Sequence, residues 1–224
     1  MKKIILLAVA FFTFSTGSII AQTQKELMQE RKEINKMSRA QLTQKATKDA
    51  RNQAKKDAKA GWTVSPGHLP LEKQYDKFYM MQYEVDEYGY PKFMVGDATS
   101  VGENYDAAKM QALELAKQNL AGQIETNVNT LVETSMANSQ LPNEQAASIT
   151  ETVSKSKNLI SQKLGRVIPV VECYRVLRGK VKEVRVVIAY NSTMAMEAAK
   201  SAIRDEMEKK GEKLGEQLDK ILGF

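Results

Sequence analysis

Counting forward in fours from Ala108, the chain reads Ala108, Ala112, Ala116, Leu120, Ile124, Val128, Val132 and Met136, with no polar residue on the line. An i, i+4 line of this length predicts one long amphipathic helix over Asn104 to Ser139. Asn104 is its expected N-cap. Four residues overshoot a 3.6-residue turn, so the line drifts about 40° per step and winds most of the way round the helix. Its alanine half, Ala108 to Ala116, suits close approach to a sheet. Its larger half, Leu120 to Met136, suits a second helix. Ala146, Ile149, Val153, Ile160 and Leu164 predict that second helix. Leu141-Pro142-Asn143 joins the two closely enough for an antiparallel hairpin.

Alternation with a period of two marks the strands. Val184, Val186, Ile188 and Tyr190 share one face of Val181–Tyr190, and Arg185, Val187 and Ala189 share the other. Val170–Arg178 precedes it across the turn Arg178-Gly179-Lys180, which completes a hairpin. Pro169 stands where that strand starts, so its missing N–H is tolerated. Lys92–Val101 reads as a further strand, with Gly96 inside it and Gly102 at its end. Leu71, Tyr75, Phe78, Tyr79 and Tyr83 share one side of a helix over Leu71–Asp86. Asn191-Ser192-Thr193 caps a last helix that carries Met194, Met196, Ala199, Ala202, Ile203 and Met207. The order predicts an α+β fold. A three-stranded, mostly antiparallel sheet packs against a long helical hairpin and a C-terminal helix, and a long basic N-terminal helix precedes it.

Charge separates the ends from the middle. Lys2 and Lys3, an apolar run from Ile4 to Phe14 and a small-residue stretch ending at Ala21 have the layout of a secretory signal peptide. Residues 22–60 hold 11 Lys/Arg against 5 Asp/Glu, a net +6, while residues 61–224 hold 20 against 22, a net −2. The first segment has no Pro or Gly, and Leu42, Ala46, Ala50, Ala54 and Ala58 give it a thin i, i+4 stripe. It reads as a basic helical extension without the sustained a/d residues of a regular coiled coil. Pro66-Gly67 and Pro70 break the pattern, so the domain boundary is expected at Gly61. The expected divisions are a signal peptide at 1–21, a basic extension at 22–60, an α+β domain at 61–210 and a charged tail at 211–224.

Gly96-Asp97-Ala98, then Tyr105-Asp106-Ala107-Ala108-Lys109-Met110-Gln111-Ala112 with Leu115-Ala116, then Val186-Val187-Ile188-Ala189-Tyr190 resemble the LPP-twenty family of bacterial cell-envelope lipoproteins. That family's fold is related to the N-terminal domain of the flagellar protein FlgT. The resemblance covers Phe93 to Arg204. It implies a compact envelope domain with no catalytic residues to carry over. The chain departs from the family in lacking a lipobox cysteine, which separates it from lipid anchoring.

The candidate chemistry is sparse. Cys173 is the only cysteine, so no internal disulfide is expected and stability must come from burial. His68 is the only histidine and falls in a loop, where solvation is its expected state. Metal and nucleophile sites need converging ligands or a nucleophile–base pair, so we expect no enzyme, no cofactor and no metal. Tyr75, Phe78, Tyr79, Tyr83, Tyr88, Tyr90 and Phe93 concentrate the aromatics in one stretch. They read either as core or as a tyrosine platform for a partner, a glycan or a lipid headgroup, with Tyr75, Tyr79 and Tyr83 as its candidates. Arg31, Lys32, Lys36, Arg39, Lys45, Lys48, Arg51, Lys55, Lys56 and Lys59 are candidates for weak contact with an anionic envelope surface. They lack the interleaved aromatics of a nucleic-acid site. No stretch after the signal peptide approaches about 18 consecutive apolar residues. The expectation is an exported, non-catalytic structural or interaction protein. It would be periplasmic or peripheral to the outer membrane, with an envelope partner or self-association.

Overall fold

The computed structural model describes residues 28, 29, 32, 36, 43–138, 142–210 and 215–222. The expected signal peptide lies outside them, as do Arg31 and Arg39. Two compact units divide the chain at Lys45/Ala46. In the first, the described Met28, Gln29, Lys32 and Lys36 are helical and exposed.

The second unit starts with α1 (Lys48–Lys59) and α2 (Leu71–Tyr83). Residues 45–47 are not helical, so the expected continuous helix over 22–60 is interrupted there. Thr47 is the cause. Its hydroxyl accepts from the Ala50 N–H at 3.4 Å, and its own N–H donates to Asp76 on α2 at 2.9 Å. Ala46, Ala50 and Trp62 are buried with Leu71 and Tyr75. The boundary expected at Gly61 is therefore displaced, because α1 belongs to the folded unit and packs on α2.

Then come β1 (Phe93–Gly102), α3 (Tyr105–Ala137), α4 (Asn143–Lys163), β2 (Ile168–Arg178), β3 (Val181–Asn191), α5 (Ser192–Lys210) and α6 (Gly215–Leu222). The sheet order is β1-β3-β2 and both pairings are antiparallel. The fold is thus α+β with the sheet packed against helices. Asn104 caps α3 by accepting from the Ala107 N–H at 2.9 Å, and Asn191 caps α5 by accepting from the Met194 N–H at 3.0 Å. Pro169 lies inside β2 at a register shift between Pro169 and Val171, a position an edge strand tolerates.

The alanine half of α3 sits on β1. Ala108, Ala112 and Ala116 have no exposed surface. A methyl on Gly96 would run into the Ala116 carbonyl, and one on Gly102 would stand 3.1 Å from the Ala108 nitrogen. Only glycine opposite alanine lets helix and strand approach this closely. The larger half, Leu120 to Val132, shares one core with Ile149, Val153 and Ile160 of α4, Val184, Val186 and Ile188 of β3, and Ile203 of α5. Met136, at the end of the line, is exposed. The expected charged tail is corrected in part. Within it α6 folds back, Leu218 is fully buried in this core, and Asp219 pairs with Lys200 at 3.0 Å and with Arg204.

The opposite face of the sheet carries Val171, Cys173, Val187 and Ala189 under α1 and α2. Helices therefore cover both faces, which explains why β3 is buried at consecutive positions from Val186 to Tyr190.

Candidate functional site

Two polar clusters are built around the sheet, one on its α1/α2 side and one where α3 meets the edge strand β2. The first centres on Trp62. Arg185 on β3 and Arg175 on β2 place their guanidiniums over the indole ring at 4.2 and 4.8 Å from its centroid. Arg185 also meets Asp57 of α1 at 3.3 Å, and the Tyr75 hydroxyl donates to the same carboxylate. Burial and the Asp57 carboxylate push the Tyr75 hydroxyl pKa up, so it stays a donor. Cys173 lies in the same layer, and burial pushes its thiol up to about 12. A thiol held that far from ionisation packs as a small apolar side chain.

The second cluster centres on Glu172, whose side chain is only 7% exposed. Its Oε1 meets Lys109 Nζ at 2.8 Å and His68 Nε2 at 3.2 Å, and it accepts from the Tyr105 hydroxyl. Burial pushes this carboxyl up. Hydrogen bonds from Lys109 and Tyr105, with the charges of Lys109 and His68, outweigh that and hold it below its ordinary value. Burial and the bond to Glu172 raise Tyr105 to about 12. His68 is thus not merely solvated, as its loop position suggests. It ties the 61–70 loop to the sheet. Gln74 of α2 seals the same place, accepting from the Glu172 N–H at 2.6 Å and donating to the Leu69 carbonyl at 2.8 Å. Thr63 and Tyr174 exchange two backbone hydrogen bonds of 2.8 Å along the free edge of β2. These partners leave Glu172 as an acceptor for its own fold. Among the described residues, no group of three His, Cys, Asp or Glu side chains could hold a metal ion.

The aromatic stretch divides in two. Tyr75 is core, at 6% exposure, and Phe78 and Tyr79 are half-buried beside it. Tyr83, Tyr88 and Tyr90 are exposed by 76, 77 and 69%. They stand on a braced turn. The Asp86 carboxylate accepts from the Tyr88 and Tyr90 N–H groups at 2.9 and 2.8 Å, and the Asp86 N–H donates to the Tyr90 carbonyl at 2.8 Å. Gly89 supplies the φ of 86° that the turn needs. Lys92 and Glu84 pair across its base at 2.8 Å. Met80 and Val85 extend the exposed apolar surface.

Of the basic candidates in the second unit, Lys48, Lys55, Lys56 and Lys59 are exposed on α1, and Arg51 is half-buried and donates to the Ala46 carbonyl. Lys45, at the end of the first unit, is exposed. The structure brings Lys55, Lys56 and Lys59 together with Tyr79 around a shallow pocket of about 450 Å³ that Asp49 also lines. A larger open groove of about 840 Å³ runs along the outer edge of β1, between α2 and α3.

Sequence reasoning missed Asp57, Arg185, Glu172, Lys109 and the groove. One signal was present. Glu172 and Arg185 are charges with apolar neighbours on both sides in their strands, and buried charges need partners. Those partners come from α1, α3 and the 61–70 loop, which no spacing in the chain links to the strands. No family model, curated protein or solved structure matches the chain.

Proposed function

We propose that this is a non-catalytic interaction module of the bacterial cell envelope, exported and then periplasmic or peripheral to the outer membrane. It docks a protein partner through the turn that presents Tyr83, Tyr88 and Tyr90. The observation that carries the reading is that turn: exposed Tyr88 and Tyr90 on a backbone braced by one carboxylate, with exposed Tyr83 at the end of α2 and exposed Met80 and Val85 beside them. Tyrosines combine large contact area with few rotatable bonds, and a pre-ordered turn lowers the entropy lost on docking. The signal-peptide layout supports export, and the resemblance to the LPP-twenty family supports the envelope. Lys55, Lys56 and Lys59 add weak attraction to an anionic surface, which salt screens.

Crosslinking in intact cells tests the reading. The native protein should give a defined heavier adduct, and a variant with Tyr83, Tyr88 and Tyr90 all changed to Ser should lose it while keeping its melting temperature. An adduct that survives in that variant, or none with the native chain, overturns the proposal.

A further inference from the structure

The groove along β1 is a separate feature from the tyrosine turn, since Tyr83, Tyr88 and Tyr90 do not line it. Its volume of about 840 Å³ falls in the range of small-ligand sites, about 300–1,000 Å³. Phe78 of α2 and Phe93 of β1 give it flat apolar surface. Gln82, Asn127 and Asp97 line it as well, and all three are exposed.

Charge narrows the occupant. Arg185 is the only cation among the described lining residues, and Asp57 and Trp62 already hold it. Among the described residues no lysine lines the groove, so an anionic ligand finds no free positive charge among them. A lipid tail fits poorly too, because carboxylate and amide groups interrupt the apolar surface and would lose water without gaining a partner. A peptide strand pairing with β1 is blocked. Gln123 donates to the Val95 carbonyl at 2.9 Å and Asn119 to the Asp97 carbonyl at 2.8 Å, so α3 already occupies that edge.

What remains is flat rings beside planar hydrogen-bonding groups. A pyranose ring has an apolar C–H face that packs on aromatic rings, and vicinal hydroxyls that pair with carboxylate or amide. We propose that the groove binds an uncharged oligosaccharide, with Phe78 and Phe93 under the sugar faces and Asp97, Gln82 and Asn127 on the hydroxyls. The proposal does not depend on protein docking by the tyrosine turn.

Saturation-transfer NMR and titration of the full chain with chitotriose and maltotriose test it, with trigalacturonate and laurate as anionic and apolar controls. At least one neutral trisaccharide should receive saturation through its ring C–H protons and bind at least tenfold more tightly than either control. Asp97→Ala and Gln82→Ala, at exposed positions, should each weaken binding several-fold. Phe93→Ala should weaken it tenfold or more, with near-ultraviolet circular dichroism checking its fold. Tyr88→Ala should bind the sugar like the native chain, which separates this site from the docking turn. Saturation of neither neutral sugar, tighter binding of laurate or trigalacturonate, or affinity unchanged in both Asp97→Ala and Gln82→Ala overturns the proposal.

Discussion

The two faces of the sheet are stabilised in different ways. Under α3, α4 and α5 the core is dominated by aliphatic side chains. Leu120, Ile124, Val128, Ile149, Ile160, Ile188 and Ile203 all have zero exposure. Under α1 and α2 the layer holds Trp62, Tyr75, Cys173 and a buried carboxylate, Asp57, met by Arg185 and Tyr75. A second buried carboxylate, Glu172, points to the other side of β2, where Lys109 and Tyr105 of α3 meet it. The first face depends on shape and burial, and tolerates swaps that conserve volume. The second depends on pairing, because a buried charge that loses its partner costs far more than the pair contributed. The two faces should therefore respond to different perturbations.

The largest effect is expected on the aliphatic face. Ala112→Leu forces a larger side chain between α3 and β1 and should destabilise by about 3 kcal/mol in urea unfolding, equally at low and high salt. An unchanged melting temperature would break the claim that the alanine half of α3 is packed on the sheet. Next, Asp57→Ala leaves the Tyr75 hydroxyl and the Arg185 guanidinium without their carboxylate. It should cost about 2 kcal/mol. A loss under about 0.5 kcal/mol, the range of an ordinary surface change, would erase the distinction between the faces.

The smallest effect is one of pH. Glu172 titrates below its ordinary 4.5 in the folded protein. Its contribution is therefore fully present at neutral pH, above the unfolded value, and is lost as pH falls through the lowered folded value. Glu172→Gln should cost about 1 kcal/mol at pH 7, and its stability should fall less than that of the native chain below pH 4.5. Parallel acid curves for the two proteins would show that the Lys109, His68 and Tyr105 contacts do not hold the ionised carboxylate.

The same contrast explains what could be read from the chain. The aliphatic face was legible because its signals are local. The line from Ala108 to Val132 and the alternation from Val184 to Tyr190 each name a buried face from residues a few positions apart. The polar clusters were not, because their contacts join distant segments. Asp57 meets Arg185, and His68 meets Glu172, across more than a hundred residues of chain. The basic composition of residues 22–60 pointed to a solvated extension, but Thr47 caps α1, and Ala46, Ala50 and Asp57 bury it against the folded unit. Of the aromatic cluster, composition gave the location. Packing of α2 on the sheet makes Tyr75 core, and the turn at Asp86 leaves Tyr88 and Tyr90 at the surface.

That turn carries the functional claim, and a photocrosslinking residue placed there in intact cells tests it most directly. Substituted at Tyr88, it should give one discrete adduct with a partner protein, while the same residue at Lys180, on the β2–β3 turn, should give none. Equal labelling from both positions, or no adduct from Tyr88, would contradict docking through the tyrosine turn.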